Sequence, residues 1–445
     1  MANKWCVRAF EILGLLVLSA GLASGQVGQT QITKWQYGKS AAVSLTYDDG
    51  SINQFRVAVP IMDTFGLPAT FFIITGDIPG SRYHGTFIGR PTNAIVQETA
   101  NTPTNKDNFL ERASAIGFLG YPEAIDYHTR AGEVFDEGKD FEKAYQLIDE
   151  AYAKVRQGVF KRAAEHLNSA GHRERITWEE LIALANRGYE FASHTVTHPR
   201  LAALDDANLV YELEKSRQDI LDHLGFKHTF SVECPYGTEN PRAVQSALQR
   251  YQVARNHMPD SFVDDLDRWN TMDPAGSKKE YVRWQQGALT KTPMTLMKSW
   301  VDTIASRDNI WLVLVFHGVN GKGWEPTTDD ELKEYFAYIK AKEDRLWIAT
   351  FQDVTKYIRE RMHSEVRSYR DGETILVVLR DNLTDPSYDL PLTLKTNVAS
   401  AWQTVEVHQG ERVKHVEVVH QNGQGYVLYQ AVPNAEAVMI RPVQP

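Results

Sequence analysis

The sequence predicts an α/β chain that carries a helical insertion and finishes in a small antiparallel β unit. Three observations predict it. Short apolar runs such as Ala41 to Thr46 and Trp311 to Phe316 recur between amphipathic helical stretches and read as buried strands. Between Gly76 and Ile176 that alternation stops, and Ala131 to Asn168 keeps a helical period. After Glu365 the pattern becomes period-two, with runs such as Thr374 to Leu379 and Gly425 to Tyr429 separated by Asp-Gly, Asp-Pro and Asn-Gly turns.

The first residues read as an export signal, since Lys4 and Arg8 precede an apolar stretch from Ile12 to Leu22 and Ala23-Ser24-Gly25 supplies small residues for cleavage. That stretch is short for a bilayer span, so a signal peptide over residues 1–25 is expected, with no membrane span left afterwards. An uncleaved anchor is the alternative. Cleavage removes Cys6 and leaves Cys234 without an intramolecular disulfide partner.

From Ile32 to Gly76 the chain reads strand, turn, helix, strand, the helix running from Gln54 to Phe65 and stopped by Gly66 and Pro68. The insertion, residues 77–176, opens as a Pro-, Thr- and Asn-rich loop and turns helical; it either walls a substrate groove or decorates the periphery. Thr177 is a plausible N-cap with Glu180 completing a capping box, and Gly188 ends that helix before the strand Tyr189 to Ser193. Alternation continues through Leu346 to Phe351 and a closing helix, Val354 to Met362. Residues 26–363 therefore form the expected catalytic unit, and residues 364–445 an antiparallel β-sandwich in which Trp402 and Tyr429 are either core or sugar-binding.

The formal net charge of −9, without long basic runs, argues against nucleic acid and against adhesion to anionic membranes.

The chemistry concentrates in four places. Asp48-Asp49 follows one buried run and His194-Thr195-Val196-Thr197-His198 another, at strand C-terminal ends where α/β proteins build their sites. One carboxylate and two imidazoles make a three-ligand divalent-metal site with open positions, and the second carboxylate is left to take a proton. The turn Pro235-Tyr236-Gly237 can aim a backbone N–H at a developing oxyanion. His317, just past a strand, suits a general acid because imidazole titrates near neutrality.

With these motifs, and with Gly66 to Phe72 and Thr177 to Leu181 flanking them, the chain resembles the polysaccharide deacetylase family, carbohydrate esterase family 4, from roughly Trp35 to Arg359. The resemblance implies a distorted (β/α) barrel that uses a divalent metal, usually zinc, to remove acetyl groups from N- or O-acetylated oligo- or polysaccharides. It assigns Asp48 as base, Asp49, His194 and His198 as metal ligands, Tyr236 as the oxyanion N–H donor and His317 as acid. Two positions depart from the family pattern: Glu233 stands where an arginine usually pairs with the base, and no clear Asp-Trp motif orients the acid, Asp273 being the nearest candidate. An anion at Glu233 near Asp48 calls for either a cation from elsewhere or a Glu233 side chain turned away from the site; Arg255 in the next strand-like segment is the candidate cation, a surface arginine being the other reading of it. Rival readings are a C–N hydrolase acting on a small amide, an inactive metal-binding carbohydrate-recognition protein, and a two-His-one-carboxylate iron oxygenase, the last disfavoured by the α/β pattern.

Overall fold

The computed structural model describes residues 26–443 apart from 162–173, 238, 268–269 and 271, so the export-signal reading lies outside the described residues. A parallel sheet of nine strands organises them: β2 (Ala41–Tyr47), β3 (Thr70–Ile73), β4 (Glu190–Ser193), β5 (Ser231–Val232), β6 (Val253–Ala254), β7 (Val263–Leu266), β8 (Tyr281–Gly287), β9 (Ile310–Phe316) and β10 (Leu346–Ile348). Their lateral order is β6-β5-β4-β3-β2-β9-β8-β7, with β10 also pairing β2. β2 and β9 are buried at every position, as continuous apolar runs in a covered parallel sheet must be.

The sheet curls into a (β/α) barrel that does not close by backbone pairing between β6 and β7. Side chains bridge the gap instead. Arg283, fully buried, donates from Nε to Asp265 at 2.8 Å and from Nη2 to the Asn256 carbonyl at 3.1 Å.

The expected helix from Gln54 divides into a wide π turn, Gln54–Ala58, and the helix α1, Val59–Phe65, capped by Gly66 in the left-handed region at φ 63°. The wide turn keeps the Gln54 side chain inside, where it binds two backbone carbonyls at the site. The insertion holds α2 (Thr92–Glu98), α3 (Phe109–Gly117), α4 (Pro122–Asp136) and α5 (Phe141–Arg156) around a core of its own, including Phe109, Ile116, Ile148 and Tyr152. The predicted continuous helical stretch breaks near Gly138 because Lys139 sits at φ 52°. The Thr177–Glu180 capping box forms at the head of α6 (Trp178–Ala185). α7 (Asp206–Leu224) then packs on β4.

Two antiparallel sheets follow the closing helix, Phe351–Met362. One joins the strands Ser364–Asp371, Thr374–Asp381, Val438–Pro442, Thr404–Gln409 and Arg412–Glu417; the other joins Leu392–Val398, Gln424–Ala431 and Val419–Gln421 to an N-terminal strand, β1 (Thr30–Ile32). β1 pairs antiparallel with Leu392–Val398, so the start of the barrel chain is also an edge of the sandwich. Their apolar interiors are continuous, since Trp35, Phe351 and Tyr357 share one cluster with Ile375, Leu394 and Ile440. Trp402 and Tyr429 are 9% and 5% exposed, and the Tyr429 hydroxyl is satisfied by Thr396 at 2.8 Å, which makes both core residues. Among the described residues, no helix is long and apolar enough to cross a membrane.

Candidate active site

Strand geometry gathers the site. Asp48 and Asp49 leave β2, His194 leaves β4, Glu233 leaves β5, Arg255 leaves β6 and His317 leaves β9, all at C-terminal ends of parallel strands. The six residues singled out by sequence, Asp48, Asp49, His194, His198, Tyr236 and His317, line one cavity of about 760 Å³. Buried Gln54 clamps two of the strand ends, its amide donating to the Asp48 carbonyl at 2.5 Å and to the His317 carbonyl at 2.8 Å.

Asp49, His194 and His198 offer ligand atoms that all lie within 4.8 Å of one another. The Nε2 atoms of His194 and His198 stand 3.6 and 3.4 Å from Asp49 Oδ1. His194 Nδ1 is 2.8 Å from the Glu233 carbonyl, which can only accept, so Nδ1 carries the proton and Nε2 keeps its lone pair toward the cluster. One carboxylate and two imidazoles with an oriented tautomer fit a borderline divalent ion such as zinc. Burial and the neighbouring His194 also hold His198 down to about 3, favouring its neutral, ligand-competent form.

The backbone is held out of ordinary conformations here. Asp49, Thr195, His198 and Tyr236 all have positive φ, at 74°, 68°, 61° and 66°. Each left-handed non-glycine residue costs on the order of 1 kcal/mol and persists only where its surroundings over-determine it. For the histidine loop the restraint is Glu212 on α7, fully buried, whose carboxylate accepts from Val196 N and Thr197 N, both at 2.9 Å, and from Thr197 Oγ1 at 2.8 Å. Thr195 Oγ1 accepts from His198 N at 3.0 Å and closes the turn. No local signal marks Glu212, which lies mid-helix fourteen positions beyond His198.

Arg255 supplies the cation at Asp48. Its Nη1 and Nη2 donate to the two Asp48 oxygens at 2.5 and 2.8 Å, a bidentate pair, while Nη2 also lies 2.9 Å from Glu233 Oε1. All three side chains are buried. Burial pushes the Asp48 carboxyl up, but Arg255, with His317 and His194, outweighs it and holds the group below its usual value. Burial pushes Glu233 the other way, above the usual carboxylate range, against the pull of Arg255.

His317 Nε2 stands 3.5 Å from Asp48 Oδ2, and burial lowers its pKa. The expectation that Asp273 orients it is corrected: Asp273 is exposed and caps a turn, accepting from Ala275 N at 2.9 Å. Asn-Thr-Met-Asp leads straight into Pro274, and an acidic residue before such a turn is used locally. His317 Nδ1 is buried without a hydrogen-bond partner among the described residues.

The insertion is part of the site. Glu133 and Glu137 of α4 line the same cavity, and Glu137 pairs with Arg200 at 2.6 Å just past the histidine loop. Gly132 permits this docking, because a Cβ there would meet the Arg200 side chain at 2.9 Å and Ala203 Cβ at 3.1 Å. His128 joins the two segments, its Nδ1 2.8 Å from the Ala113 carbonyl and its Nε2 accepting from Arg200 N at 3.2 Å.

The site defines an α/β protein whose open (β/α) barrel brings a carboxylate and two histidines together beside a charge-paired aspartate, a candidate metal centre. Residues 134–253 match the polysaccharide deacetylase family model. The matched segment contains His194, His198, Glu233 and Tyr236, while Asp48, Asp49 and His317 lie outside it. A curated relative, a gellan lyase from a Bacillus species, is 28% identical over 275 residues, 58% of this chain and 11% of the relative, so the chain spans only a small part of that protein's length. Solved structures similar to the chain include a carbohydrate esterase family 4 domain of a multidomain xylanase from the Trinervitermes trinervoides hindgut metagenome, at 12% identity over 71% of this chain and 89% of that one, TM-score 0.32. Family 4 carbohydrate esterases from Bacillus anthracis (12% identity, 73% and 86% covered, TM-score 0.32) and from Streptomyces lividans in complex with acetate (12%, 69% and 91%, 0.30) are similar at the same level.

Proposed function

We propose that this chain is an exported, metal-dependent hydrolase that removes acetyl groups from an N- or O-acetylated carbohydrate polymer. The convergence of Asp49, His194 and His198 beside the Arg255-paired Asp48 carries the reading. Zinc held by those three residues would supply Lewis acidity toward an acetyl carbonyl and an attacking water. Asp48, kept ionised by Arg255, takes a proton from the water as it attacks. The Tyr236 N–H, carried on a left-handed turn, donates to the oxyanion that develops on the carbonyl oxygen. His317, within the same cavity and close to Asp48, delivers a proton to the departing nitrogen or oxygen as the C–N or C–O bond breaks.

A polymer suits the space better than a small cyclic amide. The cavity of about 760 Å³ shares Asp49 with a neighbour of about 500 Å³ and Glu137, Gly237, Asn256 and Asp267 with another of about 510 Å³. Arg255 removes the main reason to read the chain as an inactive binder, since the departure at Glu233 is answered by a cation from the adjacent strand. Acetate release by purified, zinc-loaded protein from chitooligosaccharides, peptidoglycan and acetylated xylan tests the proposal; no release from any of them, with one metal bound, would reject it.

A further inference from the structure

The loop after β9 is built with unusual care for a surface connection, and it carries one large aromatic side chain into the catalytic cavity. Trp324 is 52% exposed, lines that cavity and sits edge-on to His317, with ring centroids 4.5 Å apart at 76°. About half of its surface is left open, and it stands at the cavity that holds the candidate catalytic residues.

The backbone on either side of it is fixed. Gly318 N donates to the Trp324 carbonyl at 2.8 Å, Val319 N to Lys322 O at 2.9 Å and Thr327 N to Gly318 O at 3.1 Å. Gly318 and Gly323 cross so closely that a Cβ on either would lie within 3.0 Å of the other's backbone, and Gly323 stands at φ 94°. The loop is tied to its neighbours on two flanks, by Asn53 Nδ2 to Val319 O at 2.9 Å and by Thr290 N to Glu325 Oε2 at 3.2 Å. Val319 and Thr327 are buried beneath it. Fixing this backbone in advance removes an ordering cost from whatever binds.

Tyr236, also at the cavity, offers no comparable face, for its ring is covered by His198 at 4.7 Å and by the Arg200 guanidinium at 4.4 Å. Trp324 also marks a ridge. It faces the larger cavity, while its neighbours Lys322 and Gly323 line the cavity on the far side of Asp49.

Resting on the deacetylase reading, we infer that Trp324 is the stacking platform for the sugar ring that bears the scissile acetyl group. The position follows from His317: the acid must reach the leaving nitrogen or oxygen on that sugar, and Trp324 is in contact with the acid. A gluco-configured ring has equatorial substituents and faces of axial C–H groups that pack on an indole.

The test uses Trp324→Ala and Trp324→Phe of the zinc-loaded full chain with a β-1,4-linked N-acetylglucosamine tetramer. Trp324→Ala is expected to raise KM and the calorimetric dissociation constant about tenfold, ~1.4 kcal/mol, with kcat changed less than threefold; Trp324→Phe recovers most of the loss. An unchanged KM in Trp324→Ala, with turnover intact, overturns the platform and leaves the deacetylase reading standing. So does a loss confined to kcat with a displaced basic limb, which would make Trp324 a positioning residue for His317. Parent protein that neither binds nor deacetylates the tetramer overturns both readings.

Discussion

Replacing Arg255 by alanine isolates the feature on which the proposed activity most depends. The guanidinium makes four short polar contacts, two to Asp48, one to Glu233 and one to Thr46 Oγ1 at 3.2 Å, and its plane lies over Phe72 at 5.0 Å. Its removal leaves two carboxylates, Asp48 at 3% exposure and Glu233 at 0%, facing each other without a cation. Breaking a buried pair in this way costs roughly 3–5 kcal/mol of stability. It also removes the largest influence that lowers the Asp48 pKa and leaves the Glu233 repulsion that raises it. An arginine beside an aspartate is worth about 1–3 pKa units. The sign is fixed: Asp48 must be ionised to act as base, so its depressed pKa sets the acidic limb of activity, and Arg255→Ala moves that limb to higher pH by about 1–3 units. At any pH below the new limb, activity falls about tenfold per unit. The assay is the pH dependence of kcat/KM for acetate release, with urea unfolding alongside. Arg255→Lys keeps the charge without the fork and is expected to fall between, and adding Glu233→Gln to Arg255→Ala is expected to pull the limb part of the way back. An acidic limb unmoved in folded, metal-loaded Arg255→Ala would refute the reasoning.

Other outcomes follow from the same geometry. If Asp49, His194 and His198 hold a divalent metal as proposed, His194→Ala or His198→Ala is expected to lose most of it, read by metal analysis after dialysis, and full occupancy in the double variant would remove the assignment. Asp48→Asn and His317→Ala keep the metal and lose about 10²-fold or more in kcat; near-normal turnover in either would cancel its role. Glu212→Ala strips the acceptor from two backbone N–H groups of the histidine loop, each costing about 1–3 kcal/mol when left buried and unpaired, so zinc affinity measured by chelator competition should drop with stability, and unchanged affinity would show the loop holds itself. His128, whose pKa burial lowers to about 4, must stay neutral because Nε2 accepts from Arg200 N. Its contribution is therefore present above pH 6.5 and lost as pH falls toward 4; amide exchange of α4 should rise across that window in the parent and stay flat in His128→Gln. Deleting residues 365–445 is expected to leave an insoluble barrel, since the strand Thr30–Ile32 loses its partner and the cluster around Trp35, Phe351 and Tyr357 is opened to water; a soluble truncation with bound zinc would contradict this.

The sequence by itself determined the elements and the chemical residues that ride on them. Buried strands announce themselves as continuous apolar runs, a capping box needs only Thr177 and Glu180 three positions apart, and site residues placed at strand C-terminal ends inherit their location from the strand. That is why Asp48, Asp49, His194, His198, Tyr236 and His317 could be expected to share one cavity, and why Arg255 could be named as the candidate cation for an anion at Glu233. The tertiary structure alone decided what meets across long separations. Glu212 under the histidine loop, α4 as a cavity wall, Trp324 against His317, and the strand Thr30–Ile32 in the C-terminal sandwich leave no local pattern to read. Asp273 shows the converse, a residue whose neighbourhood in sequence suggested one role while the adjacent Pro274 gave its carboxylate a nearer partner. Propensity and periodicity act within a few residues along the chain, whereas a hydrogen bond or a packed ring requires only proximity in space, and that proximity is set by how the whole sheet curls.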